Sequence, residues 1–174
     1  ASEHPNILLI SFDTVRADHL STYGYARDTS PNLTQMAERG TLYEDAYSQG
    51  NESLFSHATL FVGRYPSEIA RPVYREYALP AAATTLPEIL AMYGYDTAAF
   101  TSGGHVVADF GFAQGFDTFE TSPGLGFGSF FDTVPMALGW IDTRTSLTPW
   151  FVFLHSYDAH RPYTKPGGWN HLFT

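Results

Sequence analysis

The chain has 174 residues, 44% of them hydrophobic, which is enough to bury a sizeable core and argues against a disordered protein. Its net charge of −9, with nine scattered Lys and Arg, argues against a nucleic-acid partner. The absence of Cys excludes disulfides, thiolate metal sites and a thiol nucleophile, and it leaves the compartment open, periplasmic and secreted locations included. No apolar run reaches the roughly 20 residues that a transmembrane helix needs.

Apolar runs predict the strands of a sheet. The continuous runs at residues 6–12 and 150–155 predict strands that are buried on both faces, as in a parallel sheet. Residues 96–101 predict a further strand, and the loosely alternating residues 41–48 are compatible with another. Helical patterns lie between these runs, and this alternation predicts an α/β fold with a central, mostly parallel sheet flanked by helices.

Four helices are predicted from capping residues and apolar spacing. One begins at Ser30-Pro31 and ends at Gly40, with Leu33, Met36 and Ala37 facing inward. Residues 53–62 predict a second helix, and the capping box Thr85-x-x-Glu88 begins a third that ends at Gly94. The apolar spacing of residues 127–138 predicts a fourth, which Pro135 interrupts or kinks.

Chemically capable side chains follow the two strongest strands. Asp13 follows the first, and His155, Asp158 and His160 lie at the end of the last or just beyond it. The carboxyl ends of parallel strands meet at one edge of a sheet, so these residues are predicted to converge there. A carboxylate in this position suits a hard divalent cation. A helix cap or a surface ion pair is the ordinary alternative for Asp13.

Ser53 stands at the start of the second predicted helix, where backbone N–H groups and the helix dipole favour an anion. A hydroxyl activated there by a metal could attack sulfur or phosphorus, although an ordinary helix cap is the alternative. His57, His105 and His160 could contact an ester anion or a leaving group, while an isolated His is more often structural. No G-x-S-x-G motif occurs, which disfavours an acyl-transfer serine hydrolase.

Taken in order, four blocks of the sequence resemble the sulfatase family of the alkaline-phosphatase superfamily. They are residues 5–18 with the following Tyr-Gly-Tyr and Ser-Pro-Asn-Leu, residues 53–64, residues 94–98 with Gly-Phe-Asp at 115–117, and residues 151–163. The second block resembles the family's nucleophile signature, Cys/Ser/Thr-x-Pro-Ser-Arg/His. The last resembles its Asp-x-His-x-Pro-Tyr block.

The resemblance implies a mixed sheet between helices and a role for each matching residue. Asp13 would be a metal ligand, and Ser53 would be both the nucleophile and a further ligand. Arg16 and His57 would steady the nucleophile, while His160, with His105 as the weaker candidate, would bind the non-bridging oxygens of the substrate. The resemblance further implies one or two divalent ions, which could be Ca, Mg, Mn or Zn. It also implies a small-molecule, glycan or lipid-type ester as the substrate.

Three substitutions depart from the family pattern. Thr14 replaces a second Asp, Phe55 replaces the signature Pro, and His57 replaces the Arg that accompanies conversion of the nucleophile to formylglycine. Ser53 is therefore predicted to stay unmodified, which suits phosphoryl transfer through a covalent enzyme intermediate. The Gly-Lys-Trp-His block is also absent, and Ser102-Gly103-Gly104-His105 stands in its place.

The family's second pair of metal ligands lies downstream of the Asp-x-His-x-Pro-Tyr block. Residues 1–174 are accordingly expected to form the N-terminal part of a sulfatase-like catalytic domain, with a C-terminal remainder completing the metal site. Two alternatives stay open: a non-catalytic binding or scaffold protein that keeps the fold, and a transferase that moves a phospho-headgroup between acceptors.

Overall fold

The computed structural model describes residues 4–69, 79–123, 126–144 and 147–163, and these fall into two compact units. One unit is formed by residues 14–48, and the other by residues up to 13 together with those from 49 onward. Within the described ranges, no helix combines the length and the apolar character that crossing a membrane requires.

The larger unit is built on a four-stranded sheet with the order β1-β4-β2-β3. Its strands are β1 (Ile7–Phe12), β2 (Asp96–Thr101), β3 (Thr118–Thr121) and β4 (Trp150–Ser156). Every pairing between them is parallel, so all four carboxyl ends lie at the same edge. This confirms the predicted α/β fold with a parallel sheet.

Helices pack on both faces of this sheet. Helix α2 (Ser53–Val62) and helix α3 (Leu86–Met92) lie on one face, and helix α4 (Phe130–Asp142) lies on the other. The central strand β4 divides its side chains between the two layers, because successive residues of a strand point to opposite faces. Phe151 and Phe153 pack in the α2 and α3 layer, while Val152 and Leu154 pack in the α4 layer. Burying each of these side chains contributes roughly 1.5–3 kcal/mol.

The helix bounds follow the local sequence signals. The Thr85 hydroxyl accepts a hydrogen bond from the Glu88 N–H, and the Glu88 carboxylate accepts one from the Thr85 N–H, which confirms the predicted capping box of α3. Ser129 and Asp132 form an equivalent box at the start of α4. That helix continues through Pro135 to Asp142. Helix α2 occupies the predicted residues 53–62 and ends at Gly63, whose φ is +66°.

The smaller unit contains two 3₁₀ turns, Ala17–His19 and Ser21–Tyr23, and helix α1 (Pro31–Ala37). Ser30 precedes α1 as predicted, but its side chain makes no capping hydrogen bond. Its hydroxyl instead bonds the Ser21 and Thr22 hydroxyls and accepts from the Thr22 N–H. Ser30 therefore ties the helix start to the preceding turns.

Several local predictions are wrong. Residues 41–48 form no strand, and Met36, predicted to face inward, is 65% exposed. Strand β1 is half-buried on one face and exposed on the other, which carries Leu8, Ile10 and Phe12. The reason is that β1 lies at the edge of the described sheet, where its sole partner is β4, while α4 covers β2 and β4. Strand β3 was not predicted, because its four residues contain no apolar run.

Candidate active site at the carboxyl ends of β1 and β4

The candidate site continues the sheet face that α2 covers. Ser11 of β1 lies beside His155 of β4 in the parallel register, and both follow apolar residues that pack toward α2. The backbone N–H of Asp13 donates to the Ser156 carbonyl at 3.0 Å, which joins the two strand ends. Polar side chains therefore replace the apolar layer where the strands end. This confirms that Asp13 and His155 converge at one edge of the sheet.

Asp13 is a buried carboxylate, with 8% of its surface exposed. Burial by itself raises the pKa of Asp13, but hydrogen bonding to His155 and Ser53, with smaller electrostatic contributions from His57 and His155, outweighs it. The pKa therefore lies below its ordinary value of 3.8. Asp13 is consequently ionised at neutral pH. Thr14, which follows it, has a φ of +61°, a conformation that costs a β-branched residue about 1–3 kcal/mol and ends the extended strand.

Ser53 is the first residue of α2, and the capping position before it is occupied by Glu52, whose side chain makes no capping hydrogen bond. The ordinary cap role considered for Ser53 is therefore not the one it has. Its half-buried side chain interacts with the carboxylate of Asp13 and with the hydroxyl of Tyr157, and it lowers the pKa of both groups. The first turn of a helix also directs backbone N–H groups and the positive end of the dipole outward, which favours a bound anion.

His57, one turn further along α2, holds the helix start in place. Its Nδ1 lies 2.7 Å from the Ser53 carbonyl oxygen, and its Nε2 lies 2.9 Å from the Ser11 hydroxyl. A carbonyl can only accept, so Nδ1 carries the proton and Nε2 accepts from Ser11. Burial, with the neighbouring His155, lowers the pKa of His57 to about 4, and the ring is therefore neutral at neutral pH.

Tyr157 is a further residue of the site that the sequence analysis did not single out. It is buried, its hydroxyl interacts with the side chain of Ser53, and it accepts a hydrogen bond from the His105 backbone N–H at 3.3 Å. Burial raises the pKa of Tyr157, so it stays a neutral phenol. The signal that could have revealed it is the strand period, because residues 155 and 157 point to the same face as they leave β4.

The other predicted site residues make contacts of their own. The half-buried ring of His160 packs against Tyr157, with centroids 5.4 Å apart. The His105 side chain is exposed and contacts Phe110. Arg16 belongs to the smaller unit, where it is 71% exposed and pairs with Asp18. The predicted roles of His160, His105 and Arg16 stay predictions.

Asp158, from the same block, has a structural role. Its Oδ1 accepts from the Ser129 hydroxyl at 2.6 Å, and its Oδ2 accepts from the Phe130 N–H at 2.8 Å. It also accepts a short hydrogen bond from Ser156. Asp158 therefore attaches the start of α4 to the end of β4.

Some of these residues could hold a divalent cation. Asp13, His57 and His155 each offer a donor atom, and the three atoms lie within 4.8 Å of one another. The Asp13 carboxylate and the Ser53 hydroxyl add the oxygen donors that hard cations take, and an ionised, buried carboxylate needs a compensating positive charge. The donor set therefore fits a divalent cation, with the two oxygens supplying a fraction of the six or more ligands that Ca²⁺ takes.

Comparison with known proteins was consistent with this architecture. The sulfatase family model matches residues 5–171. Arylsulfatase A of Bos taurus is 37% identical over 103 residues, covering 56% of this chain and 20% of the relative. Human N-acetylgalactosamine-6-sulfatase is 31% identical over 144 residues, covering 75% of this chain and 28% of the relative.

A likeness to solved structures supports the same fold. The phosphonate monoester hydrolase of Agrobacterium radiobacter superposes with a TM-score of 0.80 at 22% identity, covering 98% of this chain and 44% of that structure. The chain thus spans about a fifth to a quarter of the curated relatives it matches, and under half of this solved structure.

Proposed function

Since the chain belongs to the sulfatase family of the alkaline-phosphatase superfamily, we propose that it forms the N-terminal, nucleophile-bearing part of a metal-dependent ester hydrolase. Its substrates would be sulfate or phosphate esters, and a C-terminal remainder would complete the metal site. One observation carries the proposal: the side chain of Ser53, at the start of α2, interacts with the carboxylate of Asp13, at the end of β1, and helps to lower its pKa. An acid and a hydroxyl 40 residues apart in sequence thereby share one crevice.

Each residue of this chain would have a separate task in the reaction. Ser53 would attack sulfur or phosphorus through Oγ, so that a bond to Oγ forms while the bond to the leaving alcohol breaks, and water would later release the acid from Ser53. Asp13 and Ser53 would hold the cation, which, when bound, lowers the pKa of the hydroxyl and offsets negative charge. The Ser53 hydroxyl would give up its proton to solvent as it attacks, and the departing alcohol oxygen would take up a proton from solvent.

Three groups would position the reacting atoms. His57 donates to the Ser53 carbonyl and therefore fixes the backbone from which the nucleophile projects. Tyr157 interacts with the Ser53 side chain and would help to orient its hydroxyl. The first turn of α2, with His160 beside Tyr157, would bind the non-bridging ester oxygens and stabilise the charge that grows on them in the transition state.

Sulfate esters are the first substrates to test, because both curated relatives are named as sulfatases. The substitution of His for Arg at position 57 favours an unmodified Ser53, and a plain alkoxide suits phosphate chemistry. Intact mass measurement of the purified protein should give the mass of the unmodified sequence, whereas an aldehyde at position 53 would contradict this part of the proposal.

The full-length protein should be assayed against matched aryl sulfate, phosphate monoester, phosphodiester and phosphonate substrates, each with Ca²⁺, Mg²⁺, Mn²⁺ and Zn²⁺. Ser53→Ala should reduce turnover to the background rate without changing the circular dichroism spectrum. Ser67→Ala makes the same chemical change at an exposed serine and should behave like the wild type. Turnover that survives Ser53→Ala would refute Ser53 as the nucleophile.

A further inference from the structure

His155 lies directly behind the carboxylate of Asp13. Its side chain is fully buried, and its Nε2 is 3.6 Å from Oδ2 of Asp13. This distance is slightly longer than an ordinary hydrogen bond, yet Nε2 has no nearer hydrogen-bond partner among the described residues. A buried polar atom without a partner is costly, so the nitrogen must serve either the carboxylate or a cation.

The other ring nitrogen decides between these two roles. Nδ1 of His155 lies 3.4 Å from the backbone N–H of Ser102, which follows β2. A backbone N–H can only donate, so Nδ1 is the acceptor, and the proton of the neutral ring is on Nε2. Ser102 is itself held in place, since it is buried and its hydroxyl donates to the His155 carbonyl at 2.9 Å.

Metal ligation through Nε2 would need the opposite arrangement. A neutral imidazole that binds a cation through Nε2 carries its proton on Nδ1, and that proton would point at the N–H of Ser102. Two donors would then oppose each other in a buried place. The neighbouring His57 is likewise engaged at both nitrogens, with the Ser53 carbonyl and the Ser11 hydroxyl.

We propose that His155 is a positioning residue that donates from Nε2–H to Oδ2 of Asp13 and is not a metal ligand. The donated bond fixes the orientation of the carboxylate and leaves its remaining lone pairs for Ser53 and the cation. The Ser102 N–H selects the tautomer that makes this possible. The inference rests on the proposed role of Asp13 as a ligand. It means that the oxygens of the protein bind the metal and that the His57 and His155 rings do not.

The test combines a spectroscopic and a thermodynamic measurement on the full-length protein. Nitrogen NMR of ¹⁵N-histidine-labelled protein, without metal and with Zn²⁺, should show a protonated Nε2 and a bare Nδ1 on His155 in both states. Metal affinity, measured by isothermal titration calorimetry, is then compared for two variants. His155→Gln keeps an amide donor for Asp13 and an acceptor for Ser102, whereas His155→Phe has neither.

His155→Gln should bind metal within a few-fold of the wild type, and His155→Phe should lose about ten- to a hundredfold in affinity. Loss of the Nε2 proton when metal is added, or an equally large loss in both variants, would show that His155 is a ligand and overturn the inference. Because NMR on the wild type reads the tautomer directly, a Phe variant that fails to fold leaves the test intact. A protein that binds no metal would refute the proposed function, whereas a bare Nε2 would refute this inference.

Discussion

The buried neutral histidine at position 57 makes a quantitative prediction about acid stability. Its pKa is about 4 in the folded protein and 6.5 without the fold, a difference of about 2.5 units. Between these values the unfolded chain binds a proton that the folded chain does not, so stability falls as pH falls through this window. At about 1.4 kcal/mol per unit, the difference corresponds to a loss of about 2 kcal/mol by pH 5 and about 3 kcal/mol by pH 4.

The measurement is urea denaturation of the metal-free full-length protein at pH 7, 5 and 4, with His57→Gln as the matched variant. The variant lacks the titrating group. Between pH 7 and the lower pH values, its free energy of unfolding should therefore fall less than that of the wild type, by the amounts given above. Subtracting the two curves also removes the contributions of carboxyl groups. The ionisation of Asp13 contributes stability above pH 3.8, because folding lowers the pKa of Asp13. This contribution is lost only as the pH falls below 3.8.

Parallel curves for the wild type and His57→Gln between pH 7 and pH 5 would refute this reasoning. A direct NMR titration gives the same answer independently. A His57 pKa at or above 6.5 in the folded protein would mean that the ring is not held neutral by burial, and the hydrogen bond from Ser11 to Nε2 would then be incorrect.

Two further predictions concern how the site is held. Asp158→Ala removes the acceptor for two groups at the start of α4, so we expect a loss of about 1–2 kcal/mol in urea denaturation, and an unchanged midpoint would contradict the capping role. Gly104→Ala would place a methyl group 2.6–2.8 Å from the Tyr157 ring and hydroxyl, displacing the tyrosine from Ser53 and lowering turnover together with stability. Gly94→Ala shares the positive φ but meets no atom within 4 Å, so it should cost about 1–2 kcal/mol of backbone strain and leave turnover unchanged. Equal turnover in the two glycine variants would argue against the role of Tyr157.

The elements that the sequence predicted correctly have local causes. The apolar run of β4 must be buried on both faces, the Thr85 and Glu88 pair closes a capping box within four residues, and Gly63 ends α2. The elements that it missed depend on distant partners. Strand β3 exists because four residues of ordinary composition pair with β2, and residues 41–48 alternate in polarity without a strand partner in the described structure.

The candidate site divides in the same way. Asp13 and Ser53 were candidates because each stands at the end of a recognisable element, where carboxyl ends of strands and amino ends of helices collect ligands. Their roles were predicted from the resemblance to the sulfatase family. The contacts of Ser11 with His57 and of Ser102 with His155 span 46 and 53 residues, and no local sequence pattern predicts them.

The amino-acid sequence by itself indicated the α/β fold, because apolar periodicity and capping act over a few residues. Its four sulfatase-like blocks indicated the family and, with it, the roles of the two groups at the centre of the candidate site. The tertiary structure alone decided the contacts of Ser11 with His57 and of Ser102 with His155, that Tyr157 lies beside Ser53 and that Asp158 caps α4. The physical reason is that Ser11 and Ser102 come from other strands or strand ends than the rings they contact, and they meet those rings only when the parallel sheet aligns its strands.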